Sequence, residues 1–173
     1  MFLKVLGAFL VVLSCSRLGV YMAARLSERR GLLKKIRVMV IHLRGEILYA
    51  NAPLYEGFQK AGRRAGGREG LLFETVSEQL LKEQGKEFFA IWQEAVTSYL
   101  PQTPLTKEEG EQLLAFGEHL GYLDVDMQER TLLFYLEETD GSIGFLKREM
   151  ESRTKLYRCL GMAAGLFLMV VMA

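Results

Sequence analysis

Residues 33–47 read Leu-Lys-Lys-Ile-Arg-Val-Met-Val-Ile-His-Leu-Arg-Gly-Glu-Ile. Leu33, Ile36, Val40, Leu43 and Ile47 recur at spacings of 3, 4, 3 and 4. That is the seam of a helix packed against other helices. Asn51-Ala52-Pro53 breaks it, and Pro53 suits the first turn of a second helix whose apolar face is Leu54, Phe58 and Ala61. Gly62, Gly66 and Gly67, mixed with Arg63, Arg64 and Arg68, read as a loop.

Further along, Leu72, Val76 and Leu80 mark a third helix that closes near Gly85. Phe88, Ile91, Trp92, Ala95 and Tyr99 mark a fourth, stopped by Pro101 and Pro104. Thr106-Lys107-Glu108-Glu109 spells a capping box for a fifth, with Leu113, Leu114, Phe116 and Leu120 inside and Gly121 at its end. Asp124 is placed to cap a sixth that passes Leu132, Tyr135, Leu136, Ile143, Leu146 and Met150. No stretch alternates polar and apolar long enough for a strand. The expectation is an all-α antiparallel bundle of about six helices, sized as one domain.

Upstream of the seam, Val5–Ala24 is apolar apart from Arg17. Twenty helical residues cover about 30 Å, the thickness of a hydrocarbon core. At the other end Leu156–Ala173 is apolar apart from Arg158. The expected organisation is a transmembrane helix over 1–24, a bundle over 25–157 and a second transmembrane helix over 158–173.

The formal net charge of +1 conceals a strong order. Residues 1–68 carry 13 basic and 3 acidic side chains, residues 69–140 carry 4 and 16, and residues 141–173 carry 5 and 2. Each basic segment abuts an apolar end, which favours a membrane surface over a nucleic acid. Arg25, Arg29, Arg30, Lys34, Lys35 and Arg37 follow the first span, and Lys147, Arg148, Arg153, Lys155 and Arg158 flank the second. The positive-inside rule then puts the bundle in the cytoplasm and both termini outside. A rival reading is an exported lipoprotein with its helical domain on the outer face, because Val12-Leu13-Ser14-Cys15 loosely resembles a lipobox. Leu13 and the basic run behind it fit that reading poorly. The two cysteines, Cys15 and Cys159, both lie in apolar ends, which argues against a disulfide-stapled secreted fold.

Catalytic constellations are missing from the sequence. His42 and His119 are the only histidines, and neither sits at ligand spacing from a cysteine. Gly62–Gly67 lacks the Lys-Ser/Thr of a nucleotide loop and follows no strand. The expectation is no enzyme, no cofactor, no metal, no nucleic acid and no small-molecule substrate. Trp92, among Phe88, Phe89 and Tyr99, reads as core. Gly117 and Gly121 are four apart on one helix face, which allows a neighbouring backbone to approach closely. Glu118 and Asp124 lie at the corner between two helices, and Glu46, next to Arg44's turn, is placed to pair with a Lys or Arg. The acidic middle reads as a solvated face or as a docking face for a basic partner, with Glu108, Glu109, Glu111, Asp124 and Asp126 as its contacts.

Two stretches carry a resemblance. One is Leu43-Arg44-Gly45-Glu46-Ile47-Leu48-Tyr49, followed by Pro53-Leu54 and Glu56. The other is Phe116-Gly117-Glu118-His119-Leu120-Gly121, followed by Asp124 and Gln128. With the apolar ends and the length, they resemble the stage III sporulation protein AB family across essentially the whole chain. Gly117-Glu118-His119-Leu120-Gly121 is also similar, over a short stretch, to an element of the F-type platform protein of type II secretion systems. The resemblance implies a membrane component of a channel-like complex joining mother cell and forespore. Its implied location is the mother-cell membrane facing the forespore. Its implied partners are the complex's cytoplasmic ATPase and other stage III sporulation membrane proteins.

Overall fold

The computed structural model describes the backbone of residues 2–83, 85–121 and 124–172, and the side chains of 21, 24–83, 85–118, 120–121 and 124–152 among them. Its six α-helices are α1 (Phe2–Leu48), α2 (Leu54–Ala65), α3 (Gly67–Lys82), α4 (Phe88–Tyr99), α5 (Lys107–Leu120) and α6 (Val125–Met172), with a 3₁₀ turn at Leu100–Gln102. Among the described residues there is no strand. The chain divides into two units, Gly31–Ile143 and Met1–Arg30 with Gly144–Ala173.

In the Gly31–Ile143 unit every successive pair of helices reverses direction, as the bundle expectation required. Lys60 reaches Glu46 and Arg64 reaches His42, so α2 runs back along α1. Ser77 donates to the Tyr55 carbonyl while Gly62 meets Gly70, which reverses α3 on α2. Arg68 donates to Gln102 and Phe73 packs on Trp92, which reverses α4 on α3. Phe116 stacks near Tyr135 while Gln128 donates to the Leu120 carbonyl, which reverses α6 on α5. Arg37 binds Asp140 through both ends of its fork, at 2.5 and 2.9 Å, and Arg44 binds Glu129 at 2.5 Å, which makes α6 antiparallel to α1 as well.

The heptad residues Leu33, Ile36, Val40, Leu43 and Ile47 are all buried, joined by Met39. Opposite them stand Phe58 and Ala61 of α2 and Phe73 and Val76 of α3. Trp92 lies at the centre of an aromatic cluster with Phe58, Phe73, Phe88 and Phe116, ring centroids 5.4 to 6.3 Å away. Aromatic pairs at such separations add about 0.5–1.5 kcal/mol each beyond their burial.

One local expectation is corrected. The Gly62–Gly70 stretch is not a loop. α2 continues to Ala65 and α3 begins at Gly67, with only Gly66 between them at φ 61°, a left-handed conformation that glycine adopts without strain. Gly67 shares that left-handed region at φ 68°, whereas Gly62 and Gly70 serve contact. A Cβ on Gly62 would lie 2.7 Å from the Gly70 carbonyl oxygen, and one on Gly70 would lie 2.5 Å from that of Gly62. Two glycines thus let the α2 and α3 backbones touch just beside the bend.

In the other unit, the outer parts of α1 and α6 are helical, and Arg25 lays its guanidinium 5.9 Å over the Tyr21 ring. The expected spans, 1–24 and 158–173, and with them Cys15 and Cys159, lie almost wholly outside the residues whose side chains are described. Among the described residues no helix is long and apolar enough to cross a membrane.

Candidate functional site

The capping box forms as its sequence spells it. Thr106 Oγ1 accepts from the Glu109 amide at 3.3 Å, and the Glu109 carboxylate accepts from the Thr106 amide at 3.0 Å. This starts α5 with Leu113, Phe116, Gly117 and Leu120 facing the core and Lys107, Glu108, Glu111, Ala115 and Glu118 facing solvent.

The inward face is a seat for Trp92. A Cβ on Gly117 would lie 1.9 Å from Trp92 Cδ1, so the indole rests directly on the α5 backbone. Its Nε1 donates to the Leu113 carbonyl at 2.9 Å, one turn earlier on the same helix. A Cβ on Gly121 would lie 3.0 Å from Phe88 Cβ. The close approach at Gly117 and Gly121 is therefore made by two aromatic side chains of α4, not by the neighbouring backbone expected from their spacing.

The outward face holds the acids. Glu108, Glu111 and Glu118 are exposed, as are Asp124, Asp126 and Glu137 at and on α6. Glu111 and Lys107 are 3.7 Å apart on the exposed side, a pairing of small net worth. Asp124 accepts from the Asp126 amide at 3.1 Å and so caps α6. Glu109 does not join the exposed set. It is 5% exposed, and its carboxylate is consumed in the capping box. Glu46 lies elsewhere, on α1, 3.0 Å from Lys60, which also meets Glu56 at 2.8 Å. Those bonds, Glu56 first, raise the Lys60 pKa above its ordinary value.

Between α5 and α6 opens a cleft of about 300 Å³ that sequence reasoning missed. Gln112, Ala115 and Phe116 form one wall, and Arg130, Thr131, Phe134, Tyr135 and Glu138 form the other. Tyr135 at its base is buried, which holds its phenol well above the ordinary tyrosine range and hence neutral. Phe134 is 64% exposed. No residue-by-residue signal marks this cleft, because it exists only where two helices diverge. Among the described residues no three His, Cys, Asp or Glu side chains group to hold a metal ion.

The described residues define an all-helical bundle whose α5 and α6 carry an acidic exposed face. The family model for stage III sporulation protein AB matches residues 4–173, and the chain belongs to that family. It is 28% identical over 170 residues to stage III sporulation protein AB of Bacillus subtilis (strain 168), covering 98% of this chain and 99% of that one. A solved structure of stage III sporulation protein AB superposes with a TM-score of 0.66 at 25% identity, covering 72% of this chain and 97% of the other.

Proposed function

We propose that this protein is a non-enzymatic membrane scaffold of the sporulation complex that joins mother cell and forespore. Its two apolar ends anchor it in the mother-cell membrane as a hairpin. The helical body lies in the cytoplasm and couples the complex's ATPase to the assembly. The observation that carries this reading is the exposed acidic face of α5 and α6, formed by Glu108, Glu111, Glu118, Asp124 and Asp126. A basic partner surface approaching such a face is steered by charge, which affects association rate and register more than affinity.

The test is association of the purified ATPase with the full-length chain in lipid nanodiscs, followed by stopped flow. Charge reversal at Glu108, Glu111 and Asp126 to Lys is expected to slow association about tenfold at low salt and to flatten its salt dependence. An unchanged rate in a folded triple variant overturns the docking face. For the hairpin, protease added to intact cells is expected to spare the body. Cleavage there, in cells whose membranes are sound, favours the exported lipoprotein instead.

A further inference from the structure

We propose that the α5/α6 cleft takes one bulky apolar side chain from a basic amphipathic helix of the partner that meets the acidic face. This rests on the reading of α5 and α6 as a docking face and adds the anchor that the acids alone do not supply.

The cleft's size is the first argument. About 300 Å³ is at the small end of ligand pockets and holds a side chain or two rather than a cofactor. Ala115, Phe116, Phe134 and Tyr135 give it an apolar lining beside the polar Gln112, Arg130, Thr131 and Glu138, so the part that enters is apolar. Phe134 stands 64% exposed at its mouth, a large aromatic left in water beside a concavity. That pairing of an exposed aromatic with a hollow is how helix-in-groove interfaces present an anchor point.

Charge chooses the occupant. Glu138 lines the cleft. Glu108 and Glu111 lie one turn before Gln112 and Ala115 on the same side of α5, and Glu118 lies just beyond. Arg130 is the one basic residue of the lining. Acids around an apolar hollow match a helix bearing Lys and Arg around one apolar side chain. They disfavour an anionic lipid surface. Hot-spot logic then divides the roles: the buried anchor governs dissociation, and the rim acids govern association.

The experiment uses the full-length chain in nanodiscs of zwitterionic lipid and two fluorescent helical peptides of equal Lys and Arg content. One peptide carries a central Phe and the other a central Ala. The Phe peptide is expected to bind about tenfold more tightly. Ala115→Leu fills the cleft from an exposed position and is expected to abolish that preference, as is Phe134→Ala. Glu108→Lys with Glu111→Lys is expected to weaken both peptides alike.

Equal affinity of the two peptides for the unaltered chain overturns the proposal. So does a preference that survives Ala115→Leu. A concentration-dependent dimer that Ala115→Leu dissolves assigns the cleft to a second copy and also overturns it. The same variants separate this inference from the reading beneath it. If the acids control ATPase association but Ala115→Leu leaves ATPase dissociation unchanged, the docking face stands and the anchor falls. If the Phe peptide is preferred while ATPase association ignores the acids, the anchor stands and the ATPase is not its source.

Discussion

The two faces of α5 are made from the same fourteen residues and obey different rules. On the inner face, Gly117 is fixed by shape, because the Trp92 ring occupies the space of any side chain. On the outer face, Glu108, Glu111 and Glu118 are exposed, and no close-packed ring dictates their shape. The conspicuous Phe-Gly-Glu element therefore mixes two kinds of constraint in adjacent positions. Gly117 belongs to the interior and Glu118 to the exterior. A residue's place in a motif does not tell which face it serves.

The contrast is broken most directly at Gly117. Gly117→Val is expected to destabilise the full-length chain in detergent by about 3 kcal/mol, since the surrounding rings leave Trp92 nowhere to move. Urea unfolding followed by circular dichroism measures this, and an unaltered midpoint would show that the seat is loose. The same logic applies to backbone contact between α2 and α3. Gly62→Ala is expected to cost about 2 kcal/mol in the same assay, the close carbonyl of Gly70 outweighing the better helix propensity of alanine.

Neighbouring acids sharpen the comparison. Glu109→Ala removes a capping partner and is expected to cost about 1 kcal/mol. Glu108→Ala, one residue away on the exposed side, is expected to change stability by less than about 0.5 kcal/mol. Equal effects would erase the distinction between cap and surface.

A separate effect appears only in alkali. Burial, with the nearby charge of Glu69, pushes the Tyr99 phenol up to about 12 from its ordinary 10.0, against an opposing pull from Arg68. A folded-state pKa above the unfolded one contributes stability below pH 10 that is lost as pH rises through about 12. Tyr99→Phe is expected to flatten that decline in unfolding curves taken across this range. The same slope in both proteins would remove Tyr99 as a cause.

Local rules made much of the bundle legible. The stripe from Leu33 to Ile47, the capping box at Thr106, the cap at Asp124 and the stop before Pro101 all rest on interactions within a few residues. Long-range placement was harder to read. Three glycines and three arginines resemble a loop, yet Gly62 and Gly70 are small because another backbone presses on each. Arg37, counted from sequence with the membrane-flanking cations, is held by Asp140, 103 positions away. Hydrogen bonding and cation geometry of that kind have no signature in spacing. Glu109 shows a different gap. The pattern that spells its cap was visible, but counting charge placed it on the surface too, whereas the carboxylate is buried in the cap.

Trp92 is the chain's sole tryptophan, and it sits where α4 bears on α5. Its ultraviolet emission therefore comes from one known spot, with no second indole to dilute it. A shift in that spectrum on mixing with a partner would mean that pressure on the outside of α5 had reached the ring behind it. An unshifted spectrum alongside proven binding would mean that the helix takes its visitor as a stiff wall does. The protein thus contains, unlabelled, its own gauge of whether docking is felt inside.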